Sequence, residues 1–367
     1  MSVSTHKPDY RIIAIVGVIV LYGLVMLASA SSVLSFEKFG DSNYLLKHQL
    51  LYGVLIGTVG LIVMAKIDYH VWRKFAFPLM AVTVILLLGV LIPGIGFEYG
   101  GARRWIQLGP IIFQPSEMLK LAFILYLATL FEKNKEGIKE AGYGLIPFII
   151  IAGSVVFLIM LQPDMGTMVT IALIGFLIFY VAGAPLKHLA ILVASAVSLF
   201  FVLIKLAPYR AARFTVFLNP ALDPQGIGYH INQALLAIGS GGLFGLGLGH
   251  SRQKYLYLPE VTGDSIFAIV AEEMGLFMSV ALILLFIWFM KRGLLIAKKA
   301  PDTFGKLVAT GIVIWIVMQA FINIAAMVTL VPLTGIPLPF ISYGSSALVT
   351  SLVAIGILIN ISKQTKA

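Results

Sequence analysis

Residues 12–31, IIAIVGVIVLYGLVMLASAS, hold no charged side chain and decide the class of fold. An α-helix rises 1.5 Å per residue, so a run of this length covers about 30 Å, the depth of a bilayer's hydrocarbon core. Lys7 and Arg11 precede the run, but no short core with a small-residue cleavage pattern follows, and further spans do. It therefore reads as a retained helix rather than a removed leader. Comparable runs recur at about 48–65, 75–95, 115–131, 145–162, 166–183, 189–207, 265–290, 307–332 and 343–361. The expectation is an all-α polytopic membrane protein with about ten transmembrane helices, residues 1–367 forming a single integral membrane domain.

Composition agrees. The 367 residues are 60% hydrophobic and 11% charged, and the mean hydropathy is +1.00. A soluble domain is about half apolar and about a quarter charged. The net charge of +10 would suggest nucleic acid in a soluble chain. Here Lys and Arg flank the apolar runs, where membrane orientation explains them, and nucleic acid is discounted. With both termini cytoplasmic, sixteen Lys and Arg fall in cytoplasmic segments, against Lys38, Lys47, Arg103 and Arg104 in the short outer loops. One long extracytoplasmic loop, about 208–264, joins helices 7 and 8. Its stretch QALLAIGSGGLFGLGLG at 233–249 is too broken by glycine to span, so a re-entrant or interfacial segment is expected. The absence of cysteine excludes disulfides, thiolate metal sites and cysteine nucleophiles.

This topology gathers four polar segments on the outer side: GARRWIQLG at 101–109 with FQPSE at 113–117, LQPDMGT at 161–167, the long loop, and TGIPLPFISYGSS at 334–346. Glu117 and Lys120 share one helical face, and either tie helices together or line a polar cavity. Glu272 and Glu273 lie two turns inside the eighth run, where an ionised carboxylate needs a partner or water. Asp264 and Asp164 each begin a helix, so each could be an N-cap; a general base at the membrane surface is the competing reading. Arg103, Arg104, Arg210, Arg213, Arg252 and Lys254 sit where the positive-inside rule does not call for them, and suit a phosphate or pyrophosphate. No GxxxxGK[ST], nucleophile elbow or HExxH is present, and the six histidines show no metal-ligand spacing. Any chemistry rests on the carboxylates and basic groups.

These segments in this order resemble the SEDS (shape, elongation, division and sporulation) family, which includes FtsW and RodA. The resemblance is carried by GARRWIQLG, QPSEMLKLA, QPDMGT, QALLAIGSGGLFGLGLGHSRQKYLYLPE, Asp264 with FAIVAEEMG, and PLPFISYGSS, and covers nearly the whole chain. It implies a peptidoglycan glycosyltransferase of the bacterial cytoplasmic membrane that polymerises lipid II at the outer face, inverting the donor sugar, in cell division or elongation. Asp264 matches the family's catalytic Asp, Glu117 and Lys120 its polar pair, and Asp164 its QPD aspartate. Ser342 falls in the family's SYGGS, which here reads SYGSS, and Gly263 and Ser265 stand where the family often has Thr and Phe. The resemblance implies a single-span class B penicillin-binding transpeptidase and other divisome or elongasome membrane proteins as partners, and pyrophosphate stabilised by outer Arg and Lys, with or without a divalent cation. The phrasing SRQKYLYLPE leans toward the FtsW-like branch. A lipid II flippase and a non-catalytic scaffold for the transpeptidase are the competing classes.

Overall fold

The computed structural model describes residues 6–99, 102–109, 111–206 and 208–365. Among these the helices are α1 Tyr10–Ala30, α2 Ser32–Phe39, α3 Tyr44–Lys66, α4 Val71–Val90, α5 Pro115–Lys133, α6 Ala141–Met160, α7 Met165–Val181, α8 Leu186–Leu206, α9 Pro208–Leu218, α10 Ile227–Gly241, α11 Ile266–Lys299, α12 Thr303–Met327 and α13 Ser345–Ser362. Among the described residues, seven helices (α1, α3, α4, α6, α11, α12 and α13) are long and apolar enough to cross a membrane. α7 and α8 are shorter apolar helices. α5 carries Glu117, Lys120, Glu132 and Lys133; Glu117 and Lys120, within its apolar length, are buried against protein, while Lys133 is exposed at its last turn. These ten helices correspond to the ten apolar runs.

The bundle has two chemically different ends. At one, His6 N–H donates to the Lys363 carbonyl at 2.9 Å, which brings the two chain ends together. The same end ties Tyr69 N–H to Asn360 Oδ1 at 2.9 Å, Arg73 to Glu132 at 2.7 Å, and Arg292 to Asp9. His70 bridges Asp68 and Asp302 there, at 2.6 and 2.8 Å. α3 and α13 approach closely: a side chain at Gly356 would collide with the Leu61 carbonyl. Small residues give such contacts in a bilayer, where helix association relies on close packing rather than on water exclusion.

At the other end a three-stranded antiparallel sheet of order β1-β2-β3 joins α4 to α5: β1 Gly96–Tyr99, β2 Ala102–Leu108 and β3 Ile111–Phe113. The helical expectation missed this sheet. Its signal is the polar and apolar alternation in ARRWIQL, and a bulge at Arg104 shifts the pairing so that Glu98 faces Arg103 while Phe97 faces Trp105.

The long connection between α8 and α11 folds into α9, α10 and a glycine-rich turn that docks on α11. α11 is broken at Gly275, whose φ of 73° and ψ of −174° belong to glycine alone. The break frees main-chain groups that a straight helix would use. The Glu272 and Glu273 carbonyls accept Leu246 and Gly247 N–H at 2.9 and 3.0 Å. Leu276 and Phe277 N–H in turn donate to the Gly242 and Leu243 carbonyls at 3.0 and 3.3 Å. The glycine run that cannot span thus completes the hydrogen bonding of the break, as non-helical backbone in a membrane protein must.

Candidate active site

Asp164 and Asp264 face the same question and receive different answers. Asp164 is the N-cap of α7: Oδ1 accepts Thr167 N–H at 3.0 Å, and Oδ2 accepts the Thr167 hydroxyl at 2.8 Å. Its carboxylate is satisfied by the helix it starts. Asp264 caps nothing, because the N-cap of α11 is Ser265 and no side chain closes that terminus. The Asp264 side chain keeps partial contact with solvent, and the Ser265 hydroxyl stands 3.5 Å from Oδ1. Burial, then the Glu260 carboxylate, push its carboxyl up to about 7, against the pull of its own backbone N–H, Arg213 and Ser265.

What fixes Asp264 is its backbone. Asn323 of α12 donates to the Asp264 carbonyl at 2.7 Å and to the Ile336 carbonyl at 2.8 Å. Ser342 donates to the Gly263 carbonyl at 2.6 Å and accepts Leu338 N–H at 2.7 Å, while Tyr343 N–H donates to the Thr262 carbonyl at 2.8 Å. The turn before α11 and the segment 334–346 are therefore laced together. Gly335, at φ +69°, presents backbone to the carboxylate: a side chain there would begin 3.9 Å from Asp264 Oδ2.

One helical turn before Asn323, Gln319 donates to the Pro337 carbonyl at 2.9 Å and accepts Lys120 Nζ and Trp315 Nε1, each at 2.8 Å. Lys120 pairs with Glu117 at 2.8 Å and lies 4.9 Å from the Trp315 ring centre. Both ionised groups are almost wholly buried. A buried pair of this kind is tolerable only when hydrogen bonds satisfy the remaining donors. Glu117 and Lys120 thus stand behind the segment that faces Asp264 and reach it through Gln319 and its neighbour Asn323.

The outer cations divide. Arg103 makes an exposed pair with Glu98 at 3.0 Å. Arg104 holds the turn before α7 by donating to the Gln162 carbonyl at 3.0 Å and to that of Pro163. That turn abuts the 334–346 segment, since a side chain at Gly166 would strike the Thr334 carbonyl and Ile336. Arg213 of α9 donates to the Leu333 carbonyl at 3.3 Å and acts electrostatically on Asp264. The side chain of Arg210 lies outside the described residues.

Lys254, Glu272 and Glu273 close on each other instead. Lys254 Nζ meets Glu273 Oε1 at 3.0 Å and Ser29 Oγ of α1 at 3.0 Å. Glu273 also accepts Gly249 and Ser251 N–H, at 3.0 and 3.1 Å. Glu272 takes the Ser251 hydroxyl at 2.5 Å and Arg252 N–H at 3.0 Å. They form a buried polar knot two turns further along α11, where they moor the 249–254 turn, so each carboxylate has the partner that its place in an apolar run requires.

Two apolar recesses open among the helices. One, of about 700 Å³, is lined by Phe267 and Ala271 of α11, Leu243, and Phe321 and Ile324 of α12. The other, of about 390 Å³, lies among Tyr52, Phe113, Met118, Ser345, Ser346 and Val349. Among the described residues no cluster of three or more His, Asp or Glu is spaced to hold a metal ion.

The family model for FtsW, RodA and SpoVE, described as cell cycle protein, matches residues 10–367. The chain belongs to this FtsW/RodA/SpoVE family. This family member is 42% identical to Stage V sporulation protein E of Bacillus subtilis over 100% of both chains. It is 41% identical to the probable peptidoglycan glycosyltransferase FtsW of Trichlorobacter lovleyi, over 98% of this chain and 94% of that one. Among solved structures it resembles a chain of a peptidoglycan synthase complex that coordinates polymerization and crosslinking, at 26% identity and TM-score 0.80, over 98% of each chain. It also resembles the crystal structure of Thermus thermophilus rod shape determining protein RodA, at 27% identity and TM-score 0.72, again over 98% of each. The FtsW-like lean agrees with the higher identities to FtsW and to the sporulation protein. The chain is a multi-pass protein of the bacterial cytoplasmic membrane.

Gln319, Asn323, His230 and Glu260 were absent from the sequence-derived site. Gln319 and Asn323 carried a usable signal, two amides one turn apart inside an apolar run, where unpaired polar groups are costly.

Proposed function

We propose that this protein polymerises lipid II into glycan strands, with Asp264 as the general base. The observation that carries the reading is a carboxylate held by its backbone, left uncapped, half-buried, and poised near neutral pH. A base of that strength can both stay ionised and accept a proton in the transition state. Asp264 takes the proton from the 4-hydroxyl of the acceptor's N-acetylglucosamine as that oxygen attacks the anomeric carbon of the donor's N-acetylmuramic acid. The new glycosidic bond forms as the bond to pyrophosphate breaks, and the donor carbon inverts. Arg213, beside Asp264, is the described cation suited to the developing pyrophosphate charge. The two apolar recesses, one between α11 and α12 and one bordered by Ser345 and Ser346 of α13, suit lipid tails.

The relatives named FtsW and the synthase-complex neighbour support a division-type role beside a transpeptidase partner, the single-span penicillin-binding class being the natural candidate. The test is polymerisation of lipid II by the purified protein, alone and with a cognate transpeptidase. Glycan strands from the wild type and none from Asp264→Asn are expected. Strands at the wild-type rate from Asp264→Asn would remove Asp264 from the chemistry. Failure of the wild type to form strands in both settings would leave flippase or scaffold as the function.

A further inference from the structure

His230 of α10 lies outside every motif that singled out the site, yet its ring reaches the turn that bears Asp264. Nε2 is 2.6 Å from the Ser265 hydroxyl. The same hydroxyl oxygen is 2.8 Å from the Pro259 carbonyl and 3.5 Å from Asp264 Oδ1. A serine has one proton and two lone pairs. Both oxygens that flank Ser265 are acceptors only when Asp264 is ionised, so the serine proton serves one of them at a time. The third contact then requires His230 to be the donor, with its proton on Nε2.

We infer that His230 is a positioning residue for the reaction proposed above: its Nε2–H pins Ser265 so that the serine hydroxyl can swing between the Pro259 carbonyl and Asp264 Oδ1. When Asp264 is charged, the swing gives Oδ1 a charge-assisted hydrogen bond. When Asp264 holds a proton, the hydroxyl returns to Pro259. Oδ1 is thereby occupied, and Oδ2, the oxygen facing Gly335, is the one that receives the acceptor's proton. Burial and the charge of Arg213 push the His230 imidazole down to about 4, which keeps it neutral and in the donor role at working pH.

Among the described residues, Glu260 on its own turn and Arg213 from α9 are the charged groups acting on Asp264. α10 contributes neutral His230, α12 the uncharged amide of Asn323, and the 334–346 segment no acid or base other than the Tyr343 phenol. Arg213 acts on both His230 and Asp264, so a shift in the titration of Asp264 on changing His230 travels through Ser265 or through Arg213, and its disappearance in the Ser265→Ala background assigns it to Ser265.

This inference rests on Asp264 being the base, and its test separates the two. Lipid II polymerisation is followed from about pH 5.5 to about pH 9 for the wild type, Ser265→Ala, His230→Asn, His230→Gln and Asp264→Asn, each checked for a folded monodisperse peak. Removing a hydrogen bond to a carboxylate raises its pKa, so Ser265→Ala and His230→Asn are expected to move the acidic limb of kcat/KM up by about half to one pH unit. His230→Gln, whose longer amide can still donate to Ser265, keeps the limb in place. Adding His230→Asn to Ser265→Ala produces no further shift. The inference is overturned if His230→Asn lowers the rate equally at every pH, or if Ser265→Ala moves the limb and His230→Asn does not. An active Asp264→Asn would sink the base assignment itself, whereas an inactive one with an unmoved limb in both single variants sinks His230 alone.

Discussion

Asn323 and Asp264 meet through main chain rather than side chain: the Asn323 amide donates to the Asp264 carbonyl at 2.7 Å and, with its other proton, to the Ile336 carbonyl at 2.8 Å. One buried amide thus sets the distance between the carboxylate's turn and the segment opposite it. Asn323→Leu removes both bonds and leaves two carbonyls short of a donor, at about 1 to 3 kcal/mol each when buried. The expected outcome is a lower melting temperature in detergent together with at least a tenfold loss of strand synthesis. Retained activity would show that the two segments are held by Ser342 and Tyr343 alone.

The titration of Asp264 has two consequences of opposite sense. A general base works when ionised, so kcat/KM should fall about tenfold per pH unit below about pH 7. Stability runs the other way. The folded-state value of about 7 lies above the ordinary value of 3.8, so between these the folded protein binds the proton more tightly than the unfolded chain. The associated stability is present in full below the lower value and is lost as pH rises through the upper one. Asp264→Asn lacks this loss. Its melting temperature relative to wild type should climb between about pH 4 and about pH 8, a slope that scanning both proteins across that range would detect.

Glu117 and Lys120 are coupled so tightly that single and double replacement should differ in kind. Lys120→Met strands a buried carboxylate and deprives Gln319 of a donor; breaking such a pair costs about 3 to 5 kcal/mol. The double variant Glu117→Gln with Lys120→Met removes both charges and should recover most of the melting temperature. Strand synthesis by that double variant then reports whether the pair has any role beyond support. Equal destabilisation of the single and double variants would contradict the pairing.

Gly275→Ala attacks the break in α11. The backbone conformation alone costs a side chain about 1 to 3 kcal/mol. The added methyl would also overlap Gly245 N and lie 2.6 Å from the Leu243 carbonyl. A marked fall in folded yield is expected, read by size-exclusion profile and melting temperature. An unaffected protein would mean that α11 can straighten through this point.

The sequence made much of this legible, for identifiable reasons. Long apolar runs specify spans almost by themselves, since a helix is nearly the only structure that hides backbone polar groups within lipid. Asp264 and the 334–346 segment stood out because proline, glycine and a carboxylate interrupt that monotony. For Glu272 and Glu273 the need for a partner was legible but its identity was not, because helical spacing treats Gly275 as one more helical residue and gives no hint that the chain turns aside there. Arg104 and Lys254 were ambiguous in the same way. A charge in an outer loop looks the same whether it awaits a phosphate or holds a main-chain carbonyl, and only the distances to Gln162 and Glu273 separate the two. His230 carried no signal, since its partner Ser265 is remote in sequence.

The docking of the glycine-rich turn on α11 also acts as a ruler. Main-chain bonds at Glu272, Glu273, Leu276 and Phe277 fix where Gly275 sits against residues 242–247, and Asn323 independently fixes where Asp264 sits against α12. The chain between these two anchors has no slack. One inserted or deleted residue would rotate everything on its amino-terminal side by about 100° and shift it by about 1.5 Å, taking the carboxylate out of register with Gly335. Between Asp264 and Gly275 the number of residues is therefore fixed separately from their side chains, and a relative whose spacing differed there would have to build its reaction centre differently.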